Sequence, residues 1–448
     1  MVNKKIIIIA VVALVILGFL ATDCVFIHSP ISICVKPSKK VSLEVWSIFE
    51  DEGAISNLTD SFNKIREFKN YKINYSKKNI QTYERDLINA LAADKGPDIF
   101  LIQNTALPKY KDKISAMPEK LSGSIKPYTL KSLQEEFVDV VISDFVNDRK
   151  VWALPLFVDS LALYYNKDIF NNEGISLPPV NWDEFVLDVE KITQKDEAGN
   201  ILKAGAAIGT SKNINRAVDI LNLLMIQHGA KMINSQKTQA TFSQETILAN
   251  GAKYNPGLEA LNFYASFSNP LKANYTWNDQ KDTYYSIDAF SQGQVAMMFN
   301  YSYHIPTIKA KSPYLNFSIA PMPQPKSAQF NVNYANYWGF AVSKKSSEEK
   351  REASWEFIIW LSQKDQSQKY LEQVRKPTAR RDLIDWQKDD GELGVFAQQS
   401  LTSRSWYQVD NSSIELILND MIELVITGKK DSLSALKTAQ DQITQLMQ

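Results

Sequence analysis

The sequence predicts an α/β protein built as two compact lobes, and three observations carry that prediction. At 448 residues the chain exceeds what one ordinary hydrophobic core organises. Over residues 41–102, strand-like alternation and helical spacing take turns in the order strand, helix, strand, helix, strand, the pattern of a largely parallel sheet flanked by helices. The third observation is the stretch Leu154–Phe170, LPLFVDSLALYYNKDIF, where a polar break at Asp159-Ser160 separates two apolar strands. A strand that leaves one sheet and enters another acts as a hinge and puts polar groups on the floor of a cleft. A buried hairpin inside one domain fits the same pattern.

Taken in order, Lys4-Lys5 and the apolar run Ile6–Ala21 read as a signal anchor or signal peptide over residues 1–22. An uncleaved transmembrane signal-anchor helix, with its basic end inside and the body outside, is the favoured reading. Asp23 precedes Cys24, so a lipoprotein signal lacks the small residue it needs there. Residues 23–40, with Pro30, Pro37, Lys36, Lys39 and Lys40, read as a tether. Val41–Phe49 alternates as a first strand, Ala54–Phe68 has helical spacing, and Tyr71–Ser76 is a second strand. An amphipathic helix over Tyr83–Asp94 then leads through Gly96-Pro97-Asp98 into the apolar strand Ile99–Ile102.

Beyond the hinge stretch, Asn181 or Asp183 can cap a helix running to about Thr193, and Asp196–Asn200 is a hairpin-type turn. Arg216–Gly229, Pro256–Phe267 and Ser286–Gln292 read as helices, and Gln294–Phe299, Leu315–Pro321 and Asn336–Ser343 as strands. Glu348–Leu371 reads as one long helix, followed by amphipathic helices over Ile414–Ile426 and Leu433–Leu446.

Composition excludes several functions. Fifty basic and fifty acidic residues cancel, so no net field speaks for nucleic acid. Three histidines and two cysteines, Cys24 and Cys34, leave no His/Cys metal site, and the body has no thiol nucleophile. One disulfide, a lipid-modified cysteine and two idle thiols all remain open for that pair. No nucleophile elbow, phosphate loop, zinc-protease or dinucleotide motif occurs, and no cofactor is expected. Glu50, Asp51 and Asp159 are the carboxylates that a glycosidase pair would draw on. Aromatics make up 11% of the chain, with 9 Trp and 19 Tyr, which is rich for a globular protein; much of that is core, and exposed rings also suit flat apolar ligand faces.

Six segments in order carry a resemblance: Gly96–Phe100, Leu154–Phe170, Pro178–Phe185, Ala289–Asn300, Ala320–Pro323 and Tyr337–Ser343. Together they resemble the extracellular solute-binding proteins of ABC importers, of the sugar-binding type that includes maltose-binding protein. The resemblance implies a two-lobed, type II periplasmic-binding-protein-like α/β fold with crossings near Val158–Ser160, Phe299–Asn300 and Asn336–Trp338. The lobes would then comprise 41–157 plus 300–336 and 158–299 plus 337–448.

On this resemblance Tyr303 and Trp406 take the places of stacking rings, and Glu50, Asp51 and Asp159 those of polar sugar contacts. Ser160 and Asn300 fall at crossings, while Trp46, Trp277, Tyr337 and Trp338 are candidates by position. Leu101–Thr105 departs from the family pattern by lacking the aromatic, carboxylate and arginine that grip maltodextrin, which argues against that ligand. Gln103 and Asn104 supply hydrogen bonding there instead. The implied function is a monomeric, membrane-tethered receptor that captures a solute, a carbohydrate by this likeness, and delivers it to an ABC permease. It is not an enzyme on this reading; a glycoside hydrolase and a non-transport scaffold or adhesin are the alternatives.

Overall fold

The computed structural model describes residues 25–27, 33–35, 40–248, 251–279 and 285–448. The anchor read over 6–22 and Cys24 lie outside the described residues. So does most of the tether, of which Val25–Ile27 and Ile33–Val35 pair as short antiparallel strands. Among the described residues no helix is long and apolar enough to cross a membrane.

Two sheets form from strands β1 (Val41–Ser47), β2 (Tyr71–Lys77), β3 (Ile99–Gln103), β4 (Ile114–Ser115), β5 (Ala162–Asn166), β6 (Gln194–Lys195), β7 (Ile201–Ala207), β8 (Val295–Asn300), β9 (Phe317–Ala320) and β10 (Trp338–Ser343). The first is ordered β2-β1-β3-β10-β4 and the second β6-β7-β8-β5-β9. Alternation explains β1: Val41, Leu43 and Val45 are buried while Ser42 and Glu44 face out. It pairs in parallel with both β2 and β3. The expectation of a largely parallel sheet ends there. β10 enters the first sheet from the other lobe, at the end where the parallel strands finish, and so runs antiparallel to β3 and β4. In the second sheet only β7 and β8 are parallel.

Caps fix the helices flanking the hinge stretch. Asn166 Oδ1 accepts from the backbone N–H groups of Asp168 and Ile169 at 3.0 and 3.1 Å, starting the helix Lys167–Asn172. Asn181 does the same for Glu184 at 2.9 Å. The single helix expected over 348–371 is two, Glu348–Ser362 and Lys364–Val374, because Gln363 between them is extended at ψ 150°.

Two apolar cores define the lobes. The first gathers Leu43, Phe100, Leu133, Val158, Tyr337, Trp355 and Leu383, the second Leu161, Phe185, Leu224, Met297, Tyr334, Phe396 and Leu436. The chain passes from the first core to the second after Val158, returns at Ala335, and passes back between Ile384 and Leu393. This corrects two expectations. Phe299-Asn300 is no crossing, because after β8 the chain turns and returns as β9 to pair with β5 in the same sheet. Residues 300–336 therefore pack in the second lobe through Tyr301, Ile305, Ile308 and Tyr334, whereas 337–384 complete the first.

Gly339, inside β10, is a tight spot where a Cβ would lie 2.7 Å from the buried Phe145 ring and 3.1 Å from Ala153 Cβ. Gly339→Ala is expected to lower unfolding free energy by about 1–3 kcal/mol, read as a fall in the urea midpoint at constant slope.

Candidate functional site

A cavity of about 240 Å³ lies where the two lobes meet. The first lobe supplies Phe49, Tyr83, Gln103, Phe157, Trp338 and Lys376, and the second Arg216, Tyr303, Asn411 and Glu415. Asp159 and Asn336, from two of the crossing segments, lie between them.

The floor is built by backbone pairing. Asn336 N–H donates to Asp159 O at 3.0 Å and Leu161 N–H to Tyr334 O at 3.0 Å, so two crossing segments run antiparallel with Ser160 opposite Ala335. The Asp159 carboxylate is buried and accepts from Ser160 N–H at 2.9 Å, Ser302 N–H at 3.1 Å and Ser302 Oγ–H at 2.7 Å. Burial raises its pKa to about 6, against the opposing pull of Lys376 and these donors.

The walls are aromatic. Phe49 meets Phe157 edge-on at 5.3 Å and Trp338 at 6.1 Å, and Trp338 meets Tyr83 at 5.9 Å. Opposite, Tyr303 stacks on Tyr301 at 5.9 Å with the rings 11° apart. Burial pushes the Tyr303 hydroxyl up to about 12, so it is a neutral hydrogen-bonding group at physiological pH. The Lys376 ammonium lies over Phe49, Phe157 and Tyr303 at 5.5, 5.7 and 5.7 Å from their centroids. Burial holds it below the ordinary lysine pKa, while Asp159 and Glu50 pull the other way.

Arg216 stands just before the helix Ala217–Gln227 in the left-handed region, φ 67°. Its guanidinium donates through Nε and Nη2 to Asp219 Oδ2 at 2.8 and 2.6 Å. Asp219 also accepts from Tyr301 O–H at 2.7 Å and Asn336 Nδ2 at 3.3 Å, which joins the wall to the crossing segment.

The residues expected at the site divide. Gln103, Asp159, Tyr303 and Trp338 line the cavity. Asn104, Ser160, Asn300 and Tyr337 are buried beneath the crossings. Asn104 pairs with Asp144 and the Tyr337 backbone, Tyr337 O–H with Asp144, Ser160 Oγ with Gln399, and Asn300 Oδ1 with Tyr301 N–H. Three expectations are corrected by packing. Trp277 is 1% exposed within the second core and donates to Asn213. Trp406, 7% exposed, belongs to that core and donates to Asn222. Glu50 is turned inward to accept from the hydroxyls of Ser47, Tyr75 and Tyr370. Asp51 is exposed and paired with Lys77 at 2.6 Å, and Trp46 carries Lys78 over its ring at 4.0 Å, both away from the cavity lining.

Sequence reading missed Phe49, Tyr83, Phe157, Arg216, Lys376, Asn411 and Glu415, and placed Asn336 at a crossing without naming it as a site residue. Only Phe49 and Phe157, closing apolar strands beside polar turns, left a signal. Arg216 reaches the cleft from what read as an ordinary helix start, and Lys376 from a segment beyond the helix read over Glu348–Leu371.

Two α/β lobes joined by crossing segments around a polar and aromatic cleft define a binding protein of the two-lobed class. A family model for bacterial extracellular solute-binding proteins matches residues 50–368, and the chain belongs to that family. A relative in Brucella abortus described as a binding protein is 24% identical over 343 residues, covering 73% of this chain and 75% of the relative. The multiple sugar-binding protein of Streptococcus mutans is 26% identical over 238 residues, covering 53% of each. The crystal structure of the cyclic alpha-maltosyl-1,6-maltose binding protein from Arthrobacter globiformis superimposes with a TM-score of 0.73 at 18% identity, covering 91% of this chain and 99% of that one. Members of the family are extracellular, which places the body of this chain outside the cytoplasm.

Two outcomes follow. Trp406→Ala should destabilise the fold by about 3–5 kcal/mol in denaturant titrations, whereas Trp338→Ala leaves a cooperative transition with a smaller loss. For Asp159, the folded pKa of about 6 lies above the ordinary 3.8, so the folded state keeps a proton that the unfolded chain has lost between these values. Stability therefore falls as pH rises through that window and the loss is complete above it. Asp159→Asn should reduce this slope, and the carboxyl carbon of Asp159 should titrate in NMR near pH 6. Asp144, also raised to about 6 by burial, keeps part of the slope in the variant.

Proposed function

We propose that this chain captures a carbohydrate between its lobes and hands it to an ABC permease, with residues 6–22 anchoring a monomeric receptor to the membrane. The observation that carries the reading is the pairing of aromatic walls, Trp338, Tyr83 and Tyr303, with a floor of Gln103, Asp159 and Asn336 in one cavity. A sugar ring has an apolar face of C–H groups and a rim of hydroxyls, so it needs flat apolar surfaces beside donors and acceptors. The likeness to a multiple sugar-binding protein supports the same ligand class.

Binding, with no bond made or broken, accounts for the site. Of the carboxylates that the sequence offered to a hydrolase, Glu50 is occupied by three hydroxyls and Asp51 faces solvent, so neither joins Asp159 in the cavity; Glu84 and Glu415 do line it, and of these Glu84 is held by Lys109 at 2.7 Å. Closure follows from differential affinity: a solute that touches both lobes binds the closed arrangement better than the open one.

A thermal-shift screen of the purified protein against mono- and oligosaccharides, amino acids and polyamines tests this. Stabilisation by a saccharide should grow with its concentration, reaching about 2.7 kcal/mol at a hundredfold excess over Kd. Shifts confined to amino acids or polyamines overturn the carbohydrate reading, and sustained sugar release from glycosides overturns the pure receptor.

A further inference from the structure

The start of the helix Asn411–Ile426, part of the second lobe, touches the first lobe at the edge of the cavity. Asn411 Nδ2 donates to Gln103 Oε1 at 2.5 Å, and Ser412 Oγ donates to Glu84 Oε2 at 3.2 Å. Beside them Lys109, in the short helix Leu107–Tyr110 of the first lobe, holds a carboxylate from each lobe. Its Nζ is 2.7 Å from Glu84 Oε1 and 3.3 Å from Asp410 Oδ2. Asp410 is already committed to its own helix, since its Oδ1 accepts from Ser413 N–H at 3.0 Å. The carboxylate is thus fixed in place and offers its second oxygen across the lobe boundary.

We propose that Lys109 is an interlobe latch: it sets the balance between open and closed lobes, and through it solute affinity, without touching the solute. Glu84, Asn411 and Ser412 line the cavity, whereas Lys109 is not among its lining residues. The Lys109 side chain is 22% exposed, against 37% for Glu84 and 33% for Asp410, so the cation is the most sheltered member of the cluster. Opposite charges across a boundary favour contact, and like charges oppose it. With Lys109 neutralised, Glu84 and Asp410, one carboxylate from each lobe, lose the cation they share. The same substitution that removes an attraction therefore creates a repulsion, and it acts only when the lobes are together. A residue with this effect is a positioning residue for binding, because open and closed states differ in whether its two partners meet.

The latch acts on the solute capture proposed above, but its test needs no solute. Spin labels at Arg85→Cys in the first lobe and Asp420→Cys in the second, in full-length protein carrying Cys24→Ser and Cys34→Ser, report the interlobe distance by pulsed electron resonance. Lys109→Met should move population to longer distances, with the open-to-closed ratio rising on the order of 5-fold, and Lys109→Arg should restore the parent distribution. Raising NaCl to high concentration should move the parent in the same direction as Lys109→Met. Asn411→Ala, which removes the neighbouring Gln103 contact without touching the ions, should open the lobes while keeping the salt response.

A distance distribution unchanged in Lys109→Met overturns the latch. Equal opening in Lys109→Met and Lys109→Arg also overturns it, since packing rather than charge would then hold the lobes. Once a solute is identified, its affinity should fall in step with the measured opening. A failed carbohydrate screen leaves the distance experiment intact, and an unchanged distance leaves the carbohydrate reading intact.

Discussion

Two backbone hydrogen bonds, Asn336 N–H to Asp159 O and Leu161 N–H to Tyr334 O, each 3.0 Å, hold the segments from which the rest of the cleft is built. They lie where the chain leaves one core for the other, and a buried amide left without a partner there would cost about 1–3 kcal/mol. Pairing the segments antiparallel satisfies those groups and fixes their register. Register in turn puts Asp159 beside Asn336 at the cavity floor. The Asp159 carboxylate is then surrounded by donors from Ser160 and Ser302, which compensates part of the cost of burying an ionisable group.

From that floor the polar network runs outward. Asn336 Nδ2 reaches Asp219, which also holds Arg216 and the Tyr301 hydroxyl, and Tyr301 supports the Tyr303 ring from behind. One carboxylate thereby connects the crossing segment, a left-handed arginine and an aromatic wall. On the opposite wall Lys376 covers Phe49 and Phe157, so the cavity combines a cation, flat rings and amide groups within a small volume. A solute entering it meets groups whose positions are set by other parts of the protein rather than by their own flexibility.

The strands of the first lobe were legible because period-two alternation in Val41–Ser47 and the apolar run Ile99–Gln103 are local signals. The order of the sheet was not, because β10 comes from residues more than two hundred positions later, and nothing local marks a strand as an insertion. Trp406 misled for a related reason. Its neighbours in SRSWYQV are polar, yet the groups that bury it, Asn222 among them, come from a helix far away in the chain. Trp338, with an apolar strand after it, is the ring that reaches the cavity. At the apolar strand Val295–Asn300 the crossing rested on the family resemblance alone, and the segment after it returns the chain to its own sheet.

The placement of β10 also constrains the order in which the molecule can acquire structure. The first sheet is missing the strand between β3 and β4 until residue 343 has been synthesised, and its core lacks Trp355 and Leu383 for longer still. Contacts so distant in sequence form late and slowly, because the entropy of closing the intervening loop opposes them. The first lobe therefore cannot be completed until residues well beyond 343 are present. The second sheet has no such debt, since all its strands lie between residues 162 and 320, so the two lobes differ in how much of the chain each must wait for.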